Sequence, residues 1–133
     1  MENNFLKYFR PAPFFVTGFG FALCLFGILG FTESSQNLLF GFFKLTFFHS
    51  LLFVFLGIVV LLARRKNTRR SVVVSLISVG LIFFILCIVG VLKLRNKDSV
   101  YLAFHLFSLN SYDNILHFFL GIFSLGFGYL LRK

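Results

Sequence analysis

The stretch Ser71–Leu92, SVVVSLISVGLIFFILCIVGVL, runs for 22 residues without a charge, between Arg69-Arg70 and Lys93. An α-helix rises about 1.5 Å per residue, so about 20 apolar residues cross the ~30 Å hydrocarbon core of a bilayer. This stretch is predicted to be a transmembrane helix. Three more runs of similar length lie outward from it: Pro13–Phe31, Phe47–Ala63 and Asn114–Leu131, each bounded by charge or turn residues. A transmembrane barrel would instead show segments of about 10 residues with alternating polarity, and none is present. The whole chain agrees: of 133 residues 59% are hydrophobic and 13% charged, with 23 Phe, no Trp and a mean hydropathy of +0.94. A soluble domain carries about 25% charged residues, so this chain has too few to cover a water-facing surface. Disorder, a collagen-like chain and a disulfide scaffold are excluded by the same composition. One polytopic all-α membrane domain spanning residues 1–133 is expected.

Orientation follows from Lys and Arg, because cytoplasmic loops retain positive charge during insertion. Lys7, Arg10, Arg64, Arg65, Lys66, Arg69, Arg70, Arg132 and Lys133 fall on the side shared by both termini and the middle loop, 9 of the 13 basic residues. The other four are diluted by Glu33, Asp98 and Asp113. Both termini are therefore expected on the cytoplasmic side. The first span exceeds the about 7–15 residues of a signal-peptide core and no A-x-A-like site follows it, so it is expected to be retained.

The net charge of +9 does not point to nucleic acid, since no groove-reading motif or aromatic interleaving accompanies it. Arg64, Arg65, Lys66, Arg69 and Arg70 crowd into a short turn between two spans. There they act as a positive-inside anchor and as candidate contacts for anionic lipid headgroups, each contributing about 1 kcal/mol near such a surface.

An internal repeat organises the spans. Phe43-Lys44-Leu45-Thr46 and His49 to Ile58 superimpose, at an offset of 64, on Phe107-Ser108-Leu109-Asn110 and Asp113 to Ile122. The odd spans align at 63, setting Cys24-Leu25-Phe26-Gly27 on Cys87-Ile88-Val89-Gly90. Each repeat, about 13–63 and about 71–131, holds two spans, so the copies enter the membrane in the same direction. They are expected to relate by a pseudo-two-fold axis along the membrane normal. Val100, Ala103, Phe104 and Phe107 recur at helical spacing, opposite Tyr101, His105 and Ser108. Asn37, Gly41 and Lys44 stand at the equivalent places in the first repeat, and a short interfacial helix is predicted before each even span.

The elements His49-Ser50-Leu51 leading into Leu56-Gly57, and Tyr112-Asp113-Asn114-Ile115-Leu116-His117 leading into Leu120-Gly121, resemble the paired signatures of a bacterial four-helix membrane family, domain of unknown function 4383. The likeness covers most of the chain from Phe14 onward. Ser50 replaces an expected Asn, and Phe53 stands where a second His is expected. The resemblance implies a four-helix fold in a bacterial inner membrane and no established reaction.

The candidate polar site lies at the outer ends of spans two and four: His49, Ser50, Asp113, Asn114 and His117. Asp113 and His117, four residues apart, share a helix face. His49 is the repeat equivalent of Asp113, so the three converge if the even spans adjoin. Asp113 or Asn114 also suits the N-cap of span four, with His117 one turn inside. Metal-ligand spacing is weak, and bis-His haem would need two His at matching depth, whereas His117 matches Phe53. No cofactor is expected. Cys24 and Cys87 read as small packing residues beside Gly27 and Gly90, as do Ser71-Ser75 and Ser124-Gly128.

No span carries Lys, Arg, Asp or Glu in its interior, which disfavours a proton-coupled pathway. No hydrolase triad, phosphate loop or carboxylate pair is present. The expected function is therefore non-enzymatic: association with itself or a membrane-protein partner, or binding of a lipid-like or small apolar ligand. Two alternatives stand beside it, a metal- or cofactor-binding component using His49, Asp113 and His117, and a subunit of a small transporter or channel.

Overall fold

The computed structural model describes residues 11–32, 43, 46–66, 68–94, 99–102 and 107–132. In hydrocarbon, backbone N–H and C=O groups find no water, so a spanning segment must satisfy them within itself, as a helix does. Four helices do this: α1 (Pro11–Thr32), α2 (Phe47–Arg65), α3 (Arg69–Leu94) and α4 (Ser111–Arg132). All four are long and apolar enough to cross a membrane. Each contains one of the predicted runs and extends it by at most three residues at either end.

Local chemistry sets the ends. Pro11 and Pro13 occupy the first turn of α1, where a missing N–H has no intrahelical partner to lose. Thr46 caps α2, its hydroxyl accepting the His49 N–H at 3.3 Å and its carbonyl the Ser50 N–H at 2.9 Å. Arg64 and Arg65 lie in the last turn of α2, against the negative end of the helix dipole. Thr68 begins α3 in the same way, accepting from Ser71 N through its hydroxyl. Two hydroxyls inside the spans bond to their own helix backbone: Thr17 donates to Pro13 O at 2.8 Å and Ser75 to Val72 O at 2.9 Å. Ser124, fully buried, instead crosses from α4 to Leu76 O of α3 at 2.7 Å.

The helices form two antiparallel hairpins, α1 with α2 and α3 with α4. Small residues permit the close approach inside each hairpin. A Cβ on Gly57 would meet the backbone of Gly20 and Cys24, and the Asn114 side-chain oxygen occupies the place a Cβ on Gly90 would take. The Cys24 thiol lies on Val54 O within its own hairpin, and both cysteines are free. Aromatic rings join the hairpins: Phe53 of α2 to Phe83 of α3 at 5.2 Å between centroids, Phe19 and Phe15 of α1 to Phe123 and Phe127 of α4 at 5.4 and 5.7 Å. The core gathers around Phe19, Leu23, Phe53, Leu56, Leu76 and Phe83. Outward, large apolar side chains such as Phe14 (79% exposed), Phe21 (61%) and Phe119 (63%) face where lipid would lie.

Burial recurs between the hairpins, with one difference from the sequence alignment. In the even helices, His49, Ser50, Phe53, Gly57 and Val60 correspond to Asp113, Asn114, His117, Gly121 and Ser124 at the expected 64. In the odd helices, Val16, Phe19, Gly20, Leu23, Gly27 and Gly30 correspond to Leu76, Val79, Gly80, Phe83, Cys87 and Gly90, a spacing of 60 rather than 63. Cys87 thus stands with Gly27, not with Cys24. Three residues are just under the about 3.6 of a helical turn, so both registers place apolar residues on nearly the same face and residue similarity does not separate them.

The predicted interfacial helix before α4 is corrected. Ser99–Leu102 (β1) and Phe107–Asn110 (β2) pair as an antiparallel two-stranded sheet with Ser99 opposite Asn110 and Leu102 opposite Phe107. The pairing satisfies backbone groups that a short helix would leave open at both ends. The counterpart predicted before α2, around Asn37, Gly41 and Lys44, falls outside the described residues. Phe43 takes part in an isolated bridge and packs its ring on Phe26 at 5.4 Å.

Candidate functional site: a buried histidine pair

β2 leads directly into α4, and its last residue, Asn110, is the helix cap. Asn110 Oδ1 accepts the Asp113 N–H at 2.8 Å, and Asp113 Oδ2 accepts the Asn110 N–H at 2.9 Å. This is a capping box, with an Asn-x-x-Asp spacing in place of the commoner Ser/Thr-x-x-Glu. It corrects the assignment of Asp113 or Asn114 as the cap: the extended backbone of β2 supplies the conformation an N-cap requires, three residues earlier. Thr46, at 64 residues before Asn110, plays the same part for α2. Removing the carboxylate with Asp113→Ala is expected to lower stability by about 1–2 kcal/mol, read as an earlier thermal melt in detergent. A variant melting with the parent would remove the carboxylate from the capping account.

With the cap fixing how α4 starts, His117 turns inward. His49 and His117 are 1% and 0% exposed, and their Nε2 atoms lie 3.0 Å apart across the α2–α4 contact. One ring donates Nε2–H and the other accepts, so the two imidazoles hold different tautomers. The His117 ring packs against both His49 and Phe53 of α2, one turn apart from each other, with centroids at 5.0 and 6.2 Å. Phe83 of α3 stacks on it at 5.7 Å and 23°. Three helices therefore hold this ring in place.

Of the five predicted polar residues, all are buried, but their roles divide. His49 and His117 meet directly. Asp113 serves the helix start, and the neighbouring-span partner of His117 Nε2 is His49. Ser50 and Asn114 line the clefts inside the two hairpins, at Gly27 and Gly90. Ser50 Oγ, Asn114 Oδ1 and His117 Nδ1 have no hydrogen-bond partner among the described residues.

The geometry bears on cofactor chemistry. Two axial imidazoles on one iron sit on opposite faces of a macrocycle, about 4 Å between nitrogens at two bonds of about 2 Å each. Here the two Nε2 atoms touch each other directly at 3.0 Å, and phenyl rings stack on the His117 imidazole. Two imidazoles are two metal ligands, and among the described residues no group of three or more His, Cys, Asp or Glu converges.

At the opposite end of the bundle, the predicted headgroup residues split as well. Arg64, Arg65 and Lys66 close α2, while Arg69 and Arg70 open α3. Arg69 donates through Nε to Leu131 O at 2.6 Å, tying the start of α3 to the last turn of α4. Arg132 joins Arg69 and Arg70 at one groove, a neighbour the charge count located on the same side without assigning it to the cluster. Phe83 and Asn110 were also missed as site residues. The Asn110-x-x-Asp113 spacing, repeated in Thr46-x-x-His49, was the available signal for the caps; nothing local marks Phe83.

Four apolar helices in two hairpins, with polar groups turned inward and basic residues crowded at one end, define a four-helix integral membrane protein. The chain belongs to the family described as domain of unknown function DUF4383, which it matches over residues 14–130. No curated protein and no solved structure matches it.

Proposed function

We propose that this is a non-enzymatic protein of a bacterial inner membrane that works by binding a lipid-like molecule or by association within the bilayer. Both termini and the α2–α3 turn lie on the cytoplasmic side in this reading, and the two hairpins are copies of one repeat related about the membrane normal. The observation that carries it is the disposition of side chains. All four helices present large apolar groups outward, as a surface for lipid or another helix does. Of the polar groups inside, several are engaged in holding the fold: a carboxylate in a helix cap, two imidazole nitrogens on each other, a serine on a neighbouring helix.

Native mass spectrometry of the protein released from bilayer-derived nanodiscs tests this. Retained lipid adducts, or a homo-oligomer that survives release, are expected. A bare monomer carrying neither would overturn the reading.

A further inference from the structure

We infer that the groove where α3 begins and α4 ends is a binding site for one anionic phospholipid, its phosphate held by Arg69, Arg70 and Arg132. The inference rests on the lipid reading above and names the ligand class and its place. The groove, about 440 Å³, is lined by these three arginines with Val73, Val74 and Ile77, and among the described residues by no acidic side chain.

Three guanidinium groups around one groove concentrate positive charge where an anion can be held. Arginine's planar fork matches phosphate oxygens with paired N–H donors. Arg69 is anchored beforehand, since its Nε bond to Leu131 O fixes the guanidinium at the rim. Less side-chain freedom is then lost when a phosphate arrives.

The apolar half of the lining selects a lipid over a soluble anion. Arg70, Val74 and Ile77 follow one another at helical spacing on α3, and Arg69 and Val73 form the adjacent row. From Arg70 to Ile77 the helix descends roughly 10 Å. Charge therefore sits at the depth of headgroups, at the edge of an uncharged run, and the Val-Ile stripe sits at the depth of the upper acyl chain. Val74 is 55% exposed, so the stripe opens sideways to the bilayer, where a chain continues into surrounding lipid. Gly128 of α4 lies against Ile77, so the two walls approach closely at the floor.

The test uses the full chain in zwitterionic phosphatidylcholine nanodiscs, titrated with phosphatidylglycerol and followed by native mass spectrometry. The parent is expected to retain phosphatidylglycerol in preference to phosphatidylcholine. Arg70→Gln with Arg132→Gln should weaken that retention roughly 30-fold, the share of two basic residues. Arg65→Gln with Lys66→Gln removes the same charge outside the groove and should change it less than about 3-fold. Equal losses in the two double variants would overturn the site in favour of diffuse surface charge, while leaving lipid binding itself intact. Displacement of the lipid by inorganic phosphate would overturn it in favour of a soluble anion. Retention of neither lipid by the parent would overturn this inference, and with an obligate monomer the broader proposal too.

Discussion

Replacing His117 with alanine is expected to destabilise the bundle by about 3–5 kcal/mol, the range for deleting a fully buried ring. The ring contacts Phe53, Phe83 and His49 from three sides, so its loss opens a space bounded by three different helices. That space closes only if two hairpins move together. His49 Nε2 also loses the acceptor or donor it meets at 3.0 Å, and an orphaned polar atom in an apolar interior costs about 1–3 kcal/mol on its own.

The two contributions separate by shape. His117→Phe refills the space, and Phe53, the residue at the equivalent place in α2, shows that a phenyl ring suits this layer. It leaves the His49 nitrogen without its partner and is expected to cost less than the alanine variant but more than nothing. Combining His117→Phe with His49→Leu removes both polar partners and should recover part of the loss, giving a coupling of about 0.5–3 kcal/mol in a double-mutant cycle. Unfolding in mixed detergent followed by far-ultraviolet circular dichroism reads the parent, the alanine variant, the two single variants of the cycle and the double variant. An alanine variant with the parent's midpoint would mean that the imidazole pair does not hold the hairpins together.

What was legible in the sequence follows from which interactions are local. The four spans rest on length and the absence of charge, which Ser71–Leu92 displays without reference to any other part of the chain. The segment before α4 reads as a helix because Val100, Ala103, Phe104 and Phe107 recur at helical spacing, yet short windows support either period. The pairing of Ser99 with Asn110, a contact between segments, decides it. Sequence alone points to a cap three residues late because Asp and Asn are both good caps, and only the strand running into α4 selects Asn110. That His49, Asp113 and His117 are all buried near one end was readable from the repeat. That the imidazoles face each other, while the carboxylate turns back to its own helix start, depends on helix rotation, which the rings of Phe53 and Phe83 set from two other helices.

Gly57→Ala is expected to be among the most damaging single-methyl additions in the chain, and the reason lies in what surrounds the missing Cβ. A methyl there would sit 2.7 Å from Gly20 O, 2.8 Å from Cys24 N and 2.5 Å from Cys24 Sγ. Two of the three are backbone atoms, which cannot rotate away, so α1 and α2 must separate along their length. Helix pairs in a membrane are held by van der Waals packing rather than by exclusion of water, and such contacts weaken steeply with small gaps. The expected loss is about 3 kcal/mol, at the upper end of overpacking effects, and Gly57→Val should exceed it. Gly121, at the corresponding place in the other hairpin, has Gly80 O and Phe84 N at 3.4 Å, so Gly121→Ala needs only a few tenths of an ångström and should cost far less. Gly18→Ala and Gly126→Ala meet nothing within 4 Å and should be neutral or stabilising by up to about 1 kcal/mol, the helix-propensity difference. The ordering Gly57 far below Gly121, with Gly18 and Gly126 at or above the parent, is measured by thermal melting of the four alanine variants in one detergent. A common melting temperature for Gly57→Ala and Gly121→Ala would show that the α1–α2 hairpin is no more tightly closed than its counterpart, and that Gly20 and Cys24 do not form the wall against which α2 is pressed.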